Sequence, residues 1–418
     1  MSLARASVWT AGSTLIKIGV GLLVVKLLAL QFGPEGVGLA GNFRQLITVL
    51  GVLSGAGIFN GITKYVAEYQ HDDPTLKRII GTSSSIILIF SSLLAIVFLF
   101  YADVISTALF ATTDYQDIIR ILAFVQIGIG YANYFLALIK GYRDARSNAL
   151  SIIYGSIIGV IAYVACFLLG GYKGALIGLA IVPALIVLPA LSFIRKRRYF
   201  ALSHFRFTWD NVIATHLGRY TIMAIVTCIT MPVAYVLMRN LLAASYSWEE
   251  VGIWQGMTTI SDAYLQFITA TFTVYLLPTL SRITEKQAIR KELLRSLRFV
   301  LLAVICVSFT VWLLRDLAIF ILFSEKFTTM RSLFAWQLTG DVLKVGSYVF
   351  GYLIIAKASL RYYLLAEVSQ FALLLGFSYW LIPLKGAIGA SQAYMSCYIV
   401  YFTLCCFAFV LYLRRKTR

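Results

Sequence analysis

The sequence predicts an all-α integral membrane protein, with twelve transmembrane helices in two pseudo-symmetric six-helix lobes around a central cleft. Three observations carry that prediction. The 418 residues are 60% hydrophobic and only 13% charged, whereas soluble domains are near half apolar and a quarter charged. Apolar runs of about 20 residues, the length that crosses a bilayer core, recur twelve times. Segments of the first half also return in the second at a nearly constant offset.

In chain order the spans are expected at 8–30, 39–66, 79–101, 116–138, 148–169, 174–194, 214–240, 251–277, 296–314, 332–355, 361–382 and 387–413. The first does not read as a cleaved signal. A single Arg5 precedes it, and its apolar run is interrupted by Lys17 yet continues for a full crossing. The segments between spans alternate in charge. One set holds Arg5, Lys64, Lys77, Arg78, Lys140, Arg143, Arg146, the run Arg195–Arg198, Arg206, six basic residues between Arg282 and Arg298, Lys357, Arg361 and the basic C-terminus. That is 24 basic residues, against five (Lys173, Arg315, Lys326, Arg331 and Lys385) on the other side. Cytoplasmic loops carry the Lys/Arg excess, so both termini are expected in the cytoplasm and the number of crossings is even.

The halves are expected to divide into an N-terminal lobe at 1–200, with six spans, and a C-terminal lobe at 201–418, with six more. Lys26-Leu-Leu-Ala29 followed by Val37-Gly38 matches Arg239-Asn-Leu-Leu-Ala243 followed by Val251-Gly252, at an offset of 214 or close to it. Lys173-Gly-Ala175 matches Lys385-Gly-Ala387 at 212. Repeats of an even number of spans keep one orientation, so the axis relating them runs along the membrane normal. The glycines at 51, 55, 57, 128, 130, 155 and 159 read as close helix packing, and Pro232 as a bend.

The net charge of +18 does not point to nucleic acid, because the basic residues sit beside apolar spans. The six cysteines lie inside spans without ligand spacing, and His71, His204 and His216 are scattered. No metal site, catalytic triad or nucleotide-binding loop is present, so no cofactor and no catalytic residues are expected. Outer loops are too short for an external catalytic domain.

The informative residues are charges within the spans. A cation at the bilayer centre costs roughly 2.5–3.5 kcal/mol on insertion scales, so it ordinarily faces a wet cavity or a partner. Lys17, Lys26, Arg44 and Arg239, with Asp262 as the accompanying acid, fall on the first, second, seventh and eighth spans, which open the two halves. A surplus of cations predicts an anionic cargo. For Lys26, Arg44 and Arg239, near the outer span ends, snorkelling to headgroups is the competing placement. The eighth span carries a polar stripe of Gln255, Thr259, Asp262, Gln266 and Thr269, and the tenth one of Gln337, Asp341, Lys344 and Ser347. Asp341 and Lys344 can form a structural ion pair or, with Glu367, a coupling site.

Asn42-Phe-Arg-Gln-Leu-Ile-Thr-Val-Leu-Gly51, Gly57-Ile-Phe-Asn-Gly-Ile-Thr-Lys-Tyr65, Val251-Gly-Ile-Trp-Gln-Gly256, Ser261-Asp-Ala-Tyr264 and Phe334-Ala-Trp-Gln337 resemble the Wzx-type polysaccharide lipid flippases. These belong to the multidrug/oligosaccharidyl-lipid/polysaccharide exporter superfamily, and the resemblance runs the whole chain. It implies twelve helices around a cleft lined by spans 1, 2, 7 and 8. It also implies an undecaprenyl-pyrophosphate-linked oligosaccharide moved across the bacterial inner membrane by alternating access. By position it assigns Lys17, Lys26, Arg44 and Arg239 to the pyrophosphate or an acidic sugar, with Asp262 as their counter-charge. The implied partners are that lipid-linked substrate, membrane lipids, and the polysaccharide polymerase and chain-length regulator of the pathway. A multidrug or organic-cation exporter of the same superfold is the alternative, disfavoured because its cleft should hold surplus acids. An enzyme of polysaccharide assembly is disfavoured by the missing catalytic loop.

Overall fold

Apolar helices dominate, as a chain with no water to satisfy its backbone requires. The computed structural model describes residues 3–195, 207–272, 276, 279–280, 283, 285–356 and 360–414. The helices are α1 (Leu3–Leu53), α2 (Phe59–Glu68), α3 (Asp73–Phe100), α4 (Ala102–Phe110), α5 (Gln116–Gly141), α6 (Ala145–Leu185) and α7 (Val187–Arg195). They continue with α8 (Asn211–Ser245), α9 (Trp248–Thr271), α10 (Lys286–Leu313), α11 (Arg315–Leu322), a 3-10 segment (Glu325–Leu333), α12 (Phe334–Ala356) and α13 (Leu360–Arg414). No strand occurs among the described residues. Lys196, Arg197, Arg198, Arg206, Arg282, Lys357, Arg415, Lys416 and Arg418, part of the charge asymmetry read above, lie outside them, as do His204 and the end of the eighth expected span.

Among the described residues, seven helices are long and apolar enough to cross a membrane. Three of those, in α1, in α6 with α7, and in α13, are double length and fold back at one glycine of positive φ: Gly33 (φ 64°), Gly171 (φ 54°) and Gly386 (φ 58°). That conformation strains any residue with a Cβ. Each doubled helix supplies two crossings and the other four apolar helices one each. The remaining two are α9 and α12, which carry the polar stripes. The protein is therefore a multi-pass membrane protein with twelve crossings.

The turns also correct the repeat register. Gly171 (ψ −132°) and Gly386 (ψ −134°) share one backbone conformation. Three residues beyond each, Gly174 and Gly389 abut the carbonyls of Cys166 and Leu381, eight residues earlier in both cases. The structural offset here is 215, so the Lys-Gly-Ala match at 212 is out of step by three residues. Lysine and alanine recur by coincidence of composition; the glycines are fixed by geometry.

The second expected span, 39–66, is not continuous. α1 ends at Leu53, and Ala56 (φ 51°) and Gly57 (φ 70°) adopt left-handed backbone before α2 begins. Asn133 of α5 donates to the Gly51 carbonyl (2.8 Å), satisfying one group near that end. Gly57 is thus a break, while Gly155 and Gly159 are packing positions whose Cβ would meet Ile186 and Val182. Pro232 makes no such break: α8 runs through it.

The chain forms two compact units. Met1–Val24 with Asn42–Pro232 makes one, and Val25–Gly41 with Val233–Arg418 the other. The first is centred on Ile58, Ile62, Ile79, Ile80, Tyr134 and Ile139. At its edge Asp210 caps α8, accepting from Val212 N (2.9 Å) and Ile213 N (3.1 Å) and pairing with Arg78. The amide of Ile213, then the Arg78 guanidinium, hold its carboxyl below the usual carboxylate range. The second unit is centred on Leu276, Leu280, Leu293, Val345 and Val349.

Within the second unit, the turn of α1 packs on the start of α9 through its repeat counterparts. A Cβ on Gly38 would lie 2.5 Å from the Trp248 carbonyl and 2.8 Å from Gly252 N. A Cβ on Gly252 would strike the Pro34 carbonyl. Pro34 and Trp248, and Gly38 and Gly252, are each 214 residues apart. The contact is therefore reciprocal, as a local two-fold relation requires.

Candidate functional site

Polar side chains inside the spans gather in both units. In the first unit, Lys17 projects from an exposed face of α1 and shares its electrostatic neighbourhood with Lys140 at the end of α5. Arg44 is half-buried, its Nη2 in the space left by Gly21. Tyr163 of α6, fully buried, lies in the field of Arg44, and its hydroxyl has no hydrogen-bond partner among the described residues. Ammonium, guanidinium and phenol can all donate, which is what phosphate oxygens require. Sequence reading missed Tyr163; its one signal is a phenol within an apolar span that also holds Tyr154.

In the second unit, Lys26 is half-buried and held by the backbone of a neighbouring helix. Its ammonium donates to the carbonyls of Phe320 (3.0 Å) and Phe323, at the C-terminal end of α11. A cation there completes the carbonyls left over by the last turn and complements the helix dipole. Lys26→Met is expected to lower the melting temperature of the purified protein by roughly 1 °C, as for a loss of about 1 kcal/mol in a chain of this length. Lys17→Met, on an exposed face, should leave it unchanged. Thermal unfolding of both variants side by side checks the difference.

Arg239 also does not snorkel. It is 4% exposed, and its Nε donates to Gln255 Oε1 (2.8 Å) on α9. The guanidinium lies 5.8 Å from the ring centroids of both Tyr235 and Trp254. Gly41 of α1 passes directly over the pair, where a Cβ would come within 2.7 Å of Gln255 Oε1 and 3.1 Å of Arg239 Nε. Stacking and hydrogen bonding offset the desolvation of a planar cation. Arg239 thus orders the α1–α8–α9 contact.

Asp262 is exposed on α9, with Gln266 beside it on the stripe, and lies in the field of Lys344 and Tyr235. The Asp341–Lys344 ion pair, one of the two readings of that spacing, does not form. Asp341, fully buried, accepts instead from Tyr264 (2.5 Å) and Tyr394 (2.7 Å). Lys344 sits among the rings of Tyr348, Tyr394 and Tyr398. Glu367 is half-buried on α13 in the field of Tyr401, and Gln370, one turn on, donates to Tyr398. The tyrosines are the residues that sequence reading passed over. Their signal was present in Tyr394, Tyr398 and Tyr401, spaced to share one helix face. Arg120 pairs with Asp117 at 3.1 Å on an exposed face.

Buried and half-buried cations on membrane-spanning helices, among hydroxyl donors and without a metal-type cluster in the described residues, define a polytopic transport-type protein. The chain belongs to the polysaccharide biosynthesis protein family, whose sequence profile matches residues 3–284. It is 65% identical over 415 residues to the lipid III flippase of Escherichia coli (strain K12), covering 99% of this chain and all of that protein. Among solved structures it resembles an inward-facing multidrug resistance MATE family transporter of the MOP superfamily (TM-score 0.76, 16% identity, 97% of this chain and 96% of that one). It also resembles the lipid II flippase MurJ in an inward closed conformation (TM-score 0.69, 15% identity, 99% and 94%). At those identities the two structures speak for the twelve-helix fold alone.

Proposed function

We propose that this protein is a flippase for lipid III, the undecaprenyl-pyrophosphate-linked repeat unit of enterobacterial common antigen. It moves that lipid from the cytoplasmic to the periplasmic leaflet of the bacterial inner membrane, with both termini in the cytoplasm. The observation that carries the reading is the 65% identity, end to end, with a protein named as a lipid III flippase. Lys17 and Arg44, accessible cations on otherwise apolar helices, supply the chemistry that such a cargo needs.

The physical task is solvation. A pyrophosphate cannot enter hydrocarbon, so the protein replaces its water with donors while the prenyl chain stays in lipid. Lys17 and Arg44 serve as those donors. Lys26 and Arg239, held by protein partners, act as positioning residues for the helices that carry the site. Alternating access moves the head between faces without a catalytic step, and no cofactor takes part. Delivery to the polymerase and chain-length regulator follows on the outer side. An exporter of organic cations would need the opposite charge balance.

The test is reconstitution in vesicles with the lipid-linked oligosaccharide, reading its exposure on each leaflet. Exposure that depends on the protein supports the reading, and efflux of a fluorescent organic cation with no lipid movement refutes it.

A further inference from the structure

Lys344 is three residues from Asp341 on one helix, close enough for a direct ion pair, and the structure holds the two apart. The lysine Nζ lies 5.4 Å from the ring centroid of Tyr394, 5.7 Å from Tyr398 and 5.9 Å from Tyr348. The carboxylate of Asp341 takes the hydroxyls of Tyr394 and Tyr264. Tyr394 therefore performs two tasks, giving its O–H to the anion and its ring to the cation. Tyr398 is fixed in turn by Gln370. Tyr394 and Tyr398 pack edge to face at 4.8 Å, so two walls of the enclosure brace each other.

An ammonium ringed by three aromatic rings is the arrangement by which proteins recognise free alkylammonium ligands. Here the alkylammonium is a side chain of the protein. The carboxylates of Asp262 and Asp341 both act on it through space. We propose that the second unit contains a cation site whose resident ion is the Lys344 ammonium. The lysine is a tethered ligand that compensates Asp341 and Asp262, so this site takes no metal ion. Any ionic coupling of the transport cycle must then act elsewhere. The inference concerns the energetics of the proposed transport, but binding at the cage can be read without any transport assay.

Lys344→Ala removes three methylenes and the ammonium, which n-propylammonium replaces. The melting temperature of purified wild-type protein should be the same in sodium, potassium and n-propylammonium chlorides at matched ionic strength. Lys344→Ala should melt roughly 4 °C higher in n-propylammonium than in sodium. Stabilisation of the wild type by sodium would overturn the proposal, as would indifference of Lys344→Ala to n-propylammonium. If the alanine variant does not accumulate, Lys344→Arg and Lys344→Gln decide. Arginine keeps a cation in the cage and should melt within about 2 °C of wild type, with glutamine clearly lower. Equal melting of the two would overturn the proposal.

Discussion

Replacing Gly252 with alanine is expected to strip most of the folded protein from the membrane. The added methyl would drive into the Pro34 carbonyl, with Pro34 Cα at 2.8 Å. Both obstacles are backbone, so no rotamer change relieves them. Overpacking in a core costs about 1–3 kcal/mol when side chains can adjust, and here they cannot. The reciprocal variant, Gly38→Ala, meets the Trp248 carbonyl at 2.5 Å and should fail in the same way. Gly376→Ala is the control. A Cβ there meets nothing within 4 Å, so within α13 it should be neutral or stabilise by up to about 1 kcal/mol. Membrane accumulation and thermal unfolding of the three variants would show the contrast. Normal melting of Gly252→Ala would refute the close contact.

Arg44→Ala is expected to reduce lipid movement roughly 10- to 100-fold, the equivalent of losing one charge-assisted hydrogen bond of about 1.5–3 kcal/mol. Accumulation should stay near normal, because Arg44 is only half-buried. Arg44→Lys should recover part of the activity, since a point charge remains but the two-pronged donor geometry does not. Arg120→Ala, an exposed pair with Asp117, should change nothing measurable. An Arg44→Ala protein that moves lipid within twofold of wild type would remove Arg44 from the binding site.

Much of the architecture was legible in the sequence because hydropathy reports the bilayer directly. The twelve crossings and the polar stripes of α9 and α12 follow from it, and the repeat near 214 from matched residues at corresponding turns. The register of the repeat at the later turn was misread because lysine and alanine were given the weight that belongs to glycine. Gly171 and Gly386 hold positive φ, and only that constraint is tied to position. The interruption at Ala56–Gly57 was hidden for the opposite reason, since an apolar run continues across it.

The charges were found, but their roles depend on partners far along the chain. Lys26 reaches carbonyls 294 and 297 residues away. Arg239 stacks on Tyr235 and Trp254, one neighbour from its own helix and one from the next. Lys344 turns from Asp341 because Tyr394, fifty residues on, lies between them. No spacing rule on one helix anticipates that.

The central claim is that Lys17 and Arg44 reach an aqueous chamber that receives the pyrophosphate head. Charged thiol reagent is applied to Lys17→Cys and Arg44→Cys in a protein whose six native cysteines are replaced, with and without undecaprenyl-pyrophosphate-linked oligosaccharide. Rapid labelling of both positions, slowed several-fold by the lipid-linked sugar, is the predicted result. Cysteines that the charged reagent cannot reach, or that label equally fast with and without the lipid, would contradict the account.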